Sequence, residues 1–185
     1  FAVLRTAEKN NDIDALQDVF EQNPLFVPAA SKLVAYNVQN DKKRAALRIV
    51  NTALENENLN EIGRAFFIKM RANIHYMFGD IDDAQSDLYD ASEILPLDGD
   101  ILALQARIWV AQGKNIEDAY DYAMTLVRQN PTDIIAWDTL GRVIAVREGV
   151  EPALDLLARV GEVASTCSSL FEQLGDLYVA VDDTR

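Results

Sequence analysis

Apolar residues recur along this chain at the three- and four-residue spacing of a single helix face, with polar residues filling the positions between. No segment alternates apolar and polar residues as a half-buried strand does. Turn formers separate the periodic runs: Asn10-Asn11, Gln39-Asn40-Asp41, Gly79-Asp80, Pro96-Leu97-Asp98 and Asn130-Pro131-Thr132-Asp133. The pattern predicts helices at about 1–9, 12–22, 28–39, 42–55, 59–78, 81–94, 99–112, 116–129, 133–147, 150–163 and 168–180. Asp80 and either Thr132 or Asp133 are suited to cap helix N-termini, because a short side-chain oxygen can accept from an otherwise unpaired amide. Pro28 suits a first helical turn, where its missing N–H is no loss. Connections this short make successive helices antiparallel.

The pattern repeats. Trp137, Leu140, Gly141 and Ile144 return as Phe171, Leu174, Gly175 and Tyr178, each 34 residues later. Small residues precede them in step, Ala106 standing 35 residues before Gly141 and Ala72 a further 34 before that. A second series of small residues, Ala84, Ala119 and Ala153, is offset by 35 and 34. Pro96 and Pro131 are again 35 apart. One residue inserted at Gly113-Lys114-Asn115 accounts for every 35. Small side chains at these places are expected to let paired helices approach closely. The core of such a chain forms only when hairpins stack on one another.

A large apolar residue, two others, Leu-Gly, two others and a second large apolar residue make up the first-helix signature of a tetratricopeptide hairpin. The chain resembles the tetratricopeptide repeat (TPR) family over roughly residues 65–185. The resemblance implies an all-α, right-handed superhelical solenoid of about 10–11 antiparallel helices. The expected repeats are 65–98, 99–133 and 134–167, a half repeat 168–185, and degenerate repeats at 1–26 and 27–64. This chain departs from the family pattern at Arg71 and Gln105, which replace the leucine before the small residue, and at Ser165, where a terminating proline would stand.

The resemblance also implies a non-enzymatic protein–protein interaction scaffold. First helices would line a concave groove that takes a peptide or a partner helix. Carried over by position, the groove residues are Lys69, Asn73, Tyr76, Arg107, Asp138 and Arg142. Lys69 and Asn73 match part of the clamp with which some members hold the carboxylate tails of chaperones. The later clamp positions hold Leu104, Ile135 and Thr139, so the clamp is incomplete. Two alternative roles are a chaperone for secreted or membrane-associated clients and a structural spacer arm of a larger assembly.

Composition narrows the chemistry. The chain has one histidine, His75, and one cysteine, Cys167, which excludes an internal disulfide and any metal site built on two histidines. No Gly-rich phosphate loop or Gly-x-Ser-x-Gly elbow occurs, and neither a cofactor, a metal nor catalysis is expected. No run of apolar residues is long enough to span a bilayer. The lone thiol fits the reducing cytoplasm, with the periplasm or a membrane-anchored longer chain as alternatives. The half repeat suggests a fragment of a longer protein. If the chain is complete, its end predicts a homodimer through 168–181.

A net charge of −13 disfavours nucleic acid and anionic membranes as partners and favours a basic peptide or protein face. No Lys or Arg occurs from Ala72 through Ala106. Within that span Asp83, Asp87 and Asp90 share one helix face and are expected to form an exposed acidic stripe.

Overall fold

The structure is a computed structural model and describes residues 13–163. The helices expected at 1–9 and 168–180, together with Gly175, Cys167 and the 168–181 dimer surface, lie outside the described residues. The chain divides into two compact units, Phe1–Pro96 and Leu97–Arg185. Among the described residues all regular structure is helical, and no strand occurs.

The first unit contains α1 (Ile13–Gln22), α2 (Val27–Gln39), α3 (Lys43–Leu54), α4 (Glu61–Met77) and α5 (Ile81–Ile94). Each helix packs on the next, and α2 also touches α4. The second unit contains α6 (Gly99–Gln112), α7 (Ile116–Gln129), α8 (Ile134–Arg147) and α9 (Val150–Val163). There too each helix packs on its successor, and α6 touches α8. Contact between a helix and its next-but-one neighbour, beside contact within each pair, is the arrangement of stacked hairpins. Each of these described helices starts and ends within two residues of the positions read from the sequence.

The small-residue series accounts for the stacking. Ala72, Ala84, Ala106, Ala119 and Ala153 are all fully buried. Gly141 is the tightest point: a Cβ built on it would lie 2.7 Å from Leu157 Cδ1 of α9 and 3.1 Å from Leu157 Cγ. In the first unit Leu16, Phe20, Leu33, Val50, Phe67 and Ile74 dominate one core. In the second, Leu102, Leu126, Leu140 and Val143 form another, with Trp109 and Trp137 against it. Both tryptophans are half-buried rather than enclosed. Trp137 Nε1 donates to the Pro131 carbonyl at 2.8 Å, which gives its one polar atom a partner at the rim.

Capping follows the sequence in part. Asp133 accepts from the Ile135 amide at 2.9 Å, and Asp98 accepts from the amides of Asp100 and Ile101, both at 3.1 Å. Asp80 precedes α5 but makes no side-chain cap bond. Its carboxylate turns to His75 and Lys43 instead. Helix α4 also differs from expectation. Its apolar residues lie almost all round the helix, which predicts burial on most sides, yet Ile62 and Met77 are 67% and 58% exposed. The inserted residue in the Gly113-Lys114-Asn115 loop is accommodated by left-handed backbone at both Gly113 (φ 63°) and Asn115 (φ 49°), residue types that adopt it readily.

Candidate functional site

Two polar clusters are embedded among the apolar contacts, one in each unit. The first lies where α3, α4 and α5 meet. Arg71 of α4 grips Asp87 of α5 through two parallel bonds, Nε to Oδ2 at 2.9 Å and Nη2 to Oδ1 at 2.6 Å. A third bond runs from Arg71 Nη1 to Asn51 Oδ1 of α3 at 3.3 Å. The hydrogen bond to Asp87 holds the Arg71 guanidinium above its ordinary pKa, against the opposing effect of burial.

One turn further along α4, His75 Nδ1 stands 3.2 Å from Asp80 Oδ2 and 3.9 Å from Asp83 Oδ2. Its other ring nitrogen, Nε2, faces Asp87 Oδ2 at 3.9 Å. Lys43 of α3 closes the cluster by donating to Asp80. Burial lowers the His75 pKa, and Lys43 and Arg71 add to that, while Asp87 and Asp83 oppose it. Burial thus favours the neutral imidazole despite three carboxylates around it.

The second cluster joins α6 to α8. Arg107 Nη2 donates to Asp138 Oδ2 at 2.7 Å, and Arg142 Nε donates to both Asp138 oxygens at 3.1 and 3.0 Å. Asp138 is only 4% exposed. Two guanidiniums on one carboxylate leave a local excess of positive charge within a strongly acidic chain. Ile135, one residue beyond the start of α8, is 43% exposed and lies on the Asp138–Arg142 face at i, i+3 and i+7. Arg107 Nε and Gln105 Nε2 are buried without a hydrogen-bond partner among the described residues.

The residues expected to bind a partner fall into two sets. Arg107, Asp138 and Arg142 are brought into direct contact. Lys69, Asn73 and Tyr76 share one face of α4, with Asn73 exposed and the other two half-buried. The Lys69 ammonium lies 5.5 Å from the Phe66 ring centroid, and Phe66 meets Phe67 edge-on at 5.7 Å. Phe66 is thus a wall of the core as much as a surface residue.

The acidic stripe requires a correction. Asp83 and Asp90 are exposed, but Asp87 is buried against Arg71. Helical spacing places the three aspartates on one side of α5, but Asp87 faces inward to a cation on α4. The sequence reading also missed Lys43, Arg71, His75 and Asp80 as one group. A signal was present in Arg71, a charged residue at a repeat position that ordinarily carries a buried leucine. A cation there requires a buried anion on a facing helix.

Among the described residues no helix is long and apolar enough to cross a membrane. Neither a family model nor a curated protein matches the sequence. Solved structures do match. A thermophilic TPR protein of Thermus thermophilus is 14% identical, with 96% of this chain and 98% of that one covered at a TM-score of 0.72. A tetratricopeptide repeat protein from Parabacteroides merdae is 16% identical, with 97% and 73% covered and a TM-score of 0.61. A chain of the APC/C hetero-tetramer Cut9–Hcn1 is 14% identical, with 96% and 34% covered and a TM-score of 0.68. Identities this low establish architecture alone, and the chain is built as those TPR proteins are, from stacked helical hairpins.

Proposed function

We propose that this chain is a non-enzymatic interaction scaffold that holds a peptide or partner helix against the first helices of its hairpins. The Arg107–Asp138–Arg142 bridge carries this reading. Asp138 anchors two arginines on neighbouring first helices and fixes them before any ligand arrives, so little side-chain entropy remains to be lost on binding. Arg142 keeps 40% of its side chain in solvent, and exposed Ile135 lies two turns earlier on the same face of α8. That pairing suits a segment presenting a carboxylate and an apolar side chain about two helical turns apart. The solved TPR structures support the scaffold reading by fold, and the Cut9–Hcn1 structure is of a protein complex. Among the described residues Arg107 ties α6 to α8 through Asp138, Arg142 holds the same carboxylate from within α8, and no nucleophile–base arrangement stands beside them.

A second reading concerns a different face. Tyr89 is 64% exposed on α5, with Asp82, Asp90 and Glu93 exposed around it. An aromatic residue ringed by carboxylates suits a basic partner. This patch shares Asp90 with the acidic stripe expected from the sequence.

Selection of peptides from a displayed random library against the chain tests the first reading. Enriched peptides are expected to share an acidic and an apolar position and to lose binding to Arg142→Glu. Enrichment of basic peptides that lose binding to Tyr89→Ala would favour the second reading. No shared motif, or binding indifferent to both substitutions, refutes the proposal.

A further inference from the structure

We infer that the corner between α4 and α5 is a binding site for a divalent transition-metal ion, zinc or a close neighbour, with His75 Nδ1 and the carboxylates of Asp80 and Asp83 as ligands. One ligand atom from each of the three lies within 4.8 Å of the other two. Donors about 2.1 Å from a tetrahedral ion stand about 3.4 Å apart. The separations from His75 Nδ1 are 3.2 Å to Asp80 and 3.9 Å to Asp83, so a small rotation of the Asp83 side chain completes the face. One imidazole with two carboxylates is a donor set for zinc, cobalt, nickel or copper. It supplies too few oxygens for calcium.

The surroundings orient the ring for this role. Histidines that bind metals commonly turn their second ring nitrogen toward a fixed carboxylate, which leaves the lone pair of the first aimed at the ion. His75 Nε2 faces Asp87, and Asp87 is buried and fixed by the two-bond grip of Arg71. Asp83 is 70% exposed, so an ion reaches the site from solvent without opening the helices. Three protein ligands leave at least one coordination position for water or a side chain from a partner.

Lys43 is the competing cation. Its ammonium bonds the same Asp80 oxygen that approaches His75. An ion must displace it, and Lys43 has an alternative resting place over the Phe78 ring, whose centroid is already 5.9 Å from Nζ. Metal binding and the Lys43 link from α3 to Asp80 are therefore mutually exclusive.

The experiment is titration of the chelator-treated chain with zinc chloride, followed by calorimetry and by the imidazole signals in NMR. His75 is the only histidine in the sequence, so those signals report one residue without any substitution. Saturation at one equivalent is expected, with the Nδ1 resonance shifted and Nε2 still protonated. Asp83→Asn, an exposed change that leaves the fold intact, is expected to weaken binding at least tenfold. Asp87→Asn is expected to weaken it by about tenfold through loss of ring orientation. Lys43→Met is expected to tighten it, by up to about fivefold for removal of a partly exposed ion pair. Unmoved imidazole signals at about 1 mM zinc, or equal affinity in the parent and Asp83→Asn, would overturn the assignment.

Discussion

Gly141→Leu tests the close approach of α8 and α9 most sharply. Even the first added carbon would stand 2.7 Å from Leu157 Cδ1, well inside van der Waals contact. Leu157 is 2% exposed, so its side chain has little free space into which to retreat. Overpacking of this kind costs about 1–3 kcal/mol. Against it stands the better helix propensity of leucine, worth about 0.8–1 kcal/mol relative to glycine in a helix interior. Leucine brings three further carbons beyond the clashing one, which places the overpacking cost in the upper half of its range, about 2–3 kcal/mol; the expected net loss is then about 1–2 kcal/mol, or roughly 2–8 °C in Tm for a chain of this size. Leu157→Ala alone should cost about 2–5 kcal/mol by leaving a cavity. In the double variant the new leucine occupies space vacated by the old one, so the two losses should not add. The expected coupling is about 1–3 kcal/mol in favour of the double variant. Urea unfolding followed by circular dichroism and by tryptophan fluorescence measures all four proteins; Trp137 packs against Leu157 and reports the site directly. Strict additivity, or a Gly141→Leu variant at least as stable as the parent, would refute the close-contact reasoning.

The polar clusters give further expectations. Arg71→Met strips a buried carboxylate of its partner and should destabilise by about 2–3 kcal/mol in chemical denaturation, with much of the loss recovered by adding Asp87→Leu. Arg107→Met should destabilise more than Arg142→Met, because Arg107 bridges two helices whereas Arg142 bonds within its own; Tm values that rank the other way would count against the bridge. The His75 pKa is lowered on folding from 6.5, so the unfolded chain binds a proton that the folded chain resists. The His75 contribution is therefore fully present above pH 6.5 and is lost as pH falls from there toward the folded value. Unfolding curves in the presence of a chelator should show that slope in the parent and not in His75→Gln.

Much of this architecture was legible in the sequence because hairpin stacking demands small residues at fixed intervals. Ala72, Ala106 and Gly141 announce the first helices, and Ala84, Ala119 and Ala153 the second. Their burial follows from the same steric need that spaces them. Pro96 and Pro131, with the turn residues around them, mark helix ends to within two positions. Charge was harder to read. Asp83, Asp87 and Asp90 look equivalent by helical spacing, and only the position of Arg71 on a facing helix separates the buried one from the exposed two. Asp80 looks like a cap because of its place before α5, yet His75 and the sequence-distant Lys43 draw it away. Asp138 resembles an exposed groove residue until Arg107, from another hairpin, is seen to cover it. Periodicity encodes which side of a helix is apolar. It does not encode which long cationic side chain will reach across to a neighbour.

The scaffold reading is tested most directly by NMR shift mapping of a selected peptide on the isotopically labelled chain. Perturbations are predicted to follow the first helices of the second unit, through Arg107, Ile135, Asp138 and Arg142. Perturbations confined to α7 and α9 would contradict it.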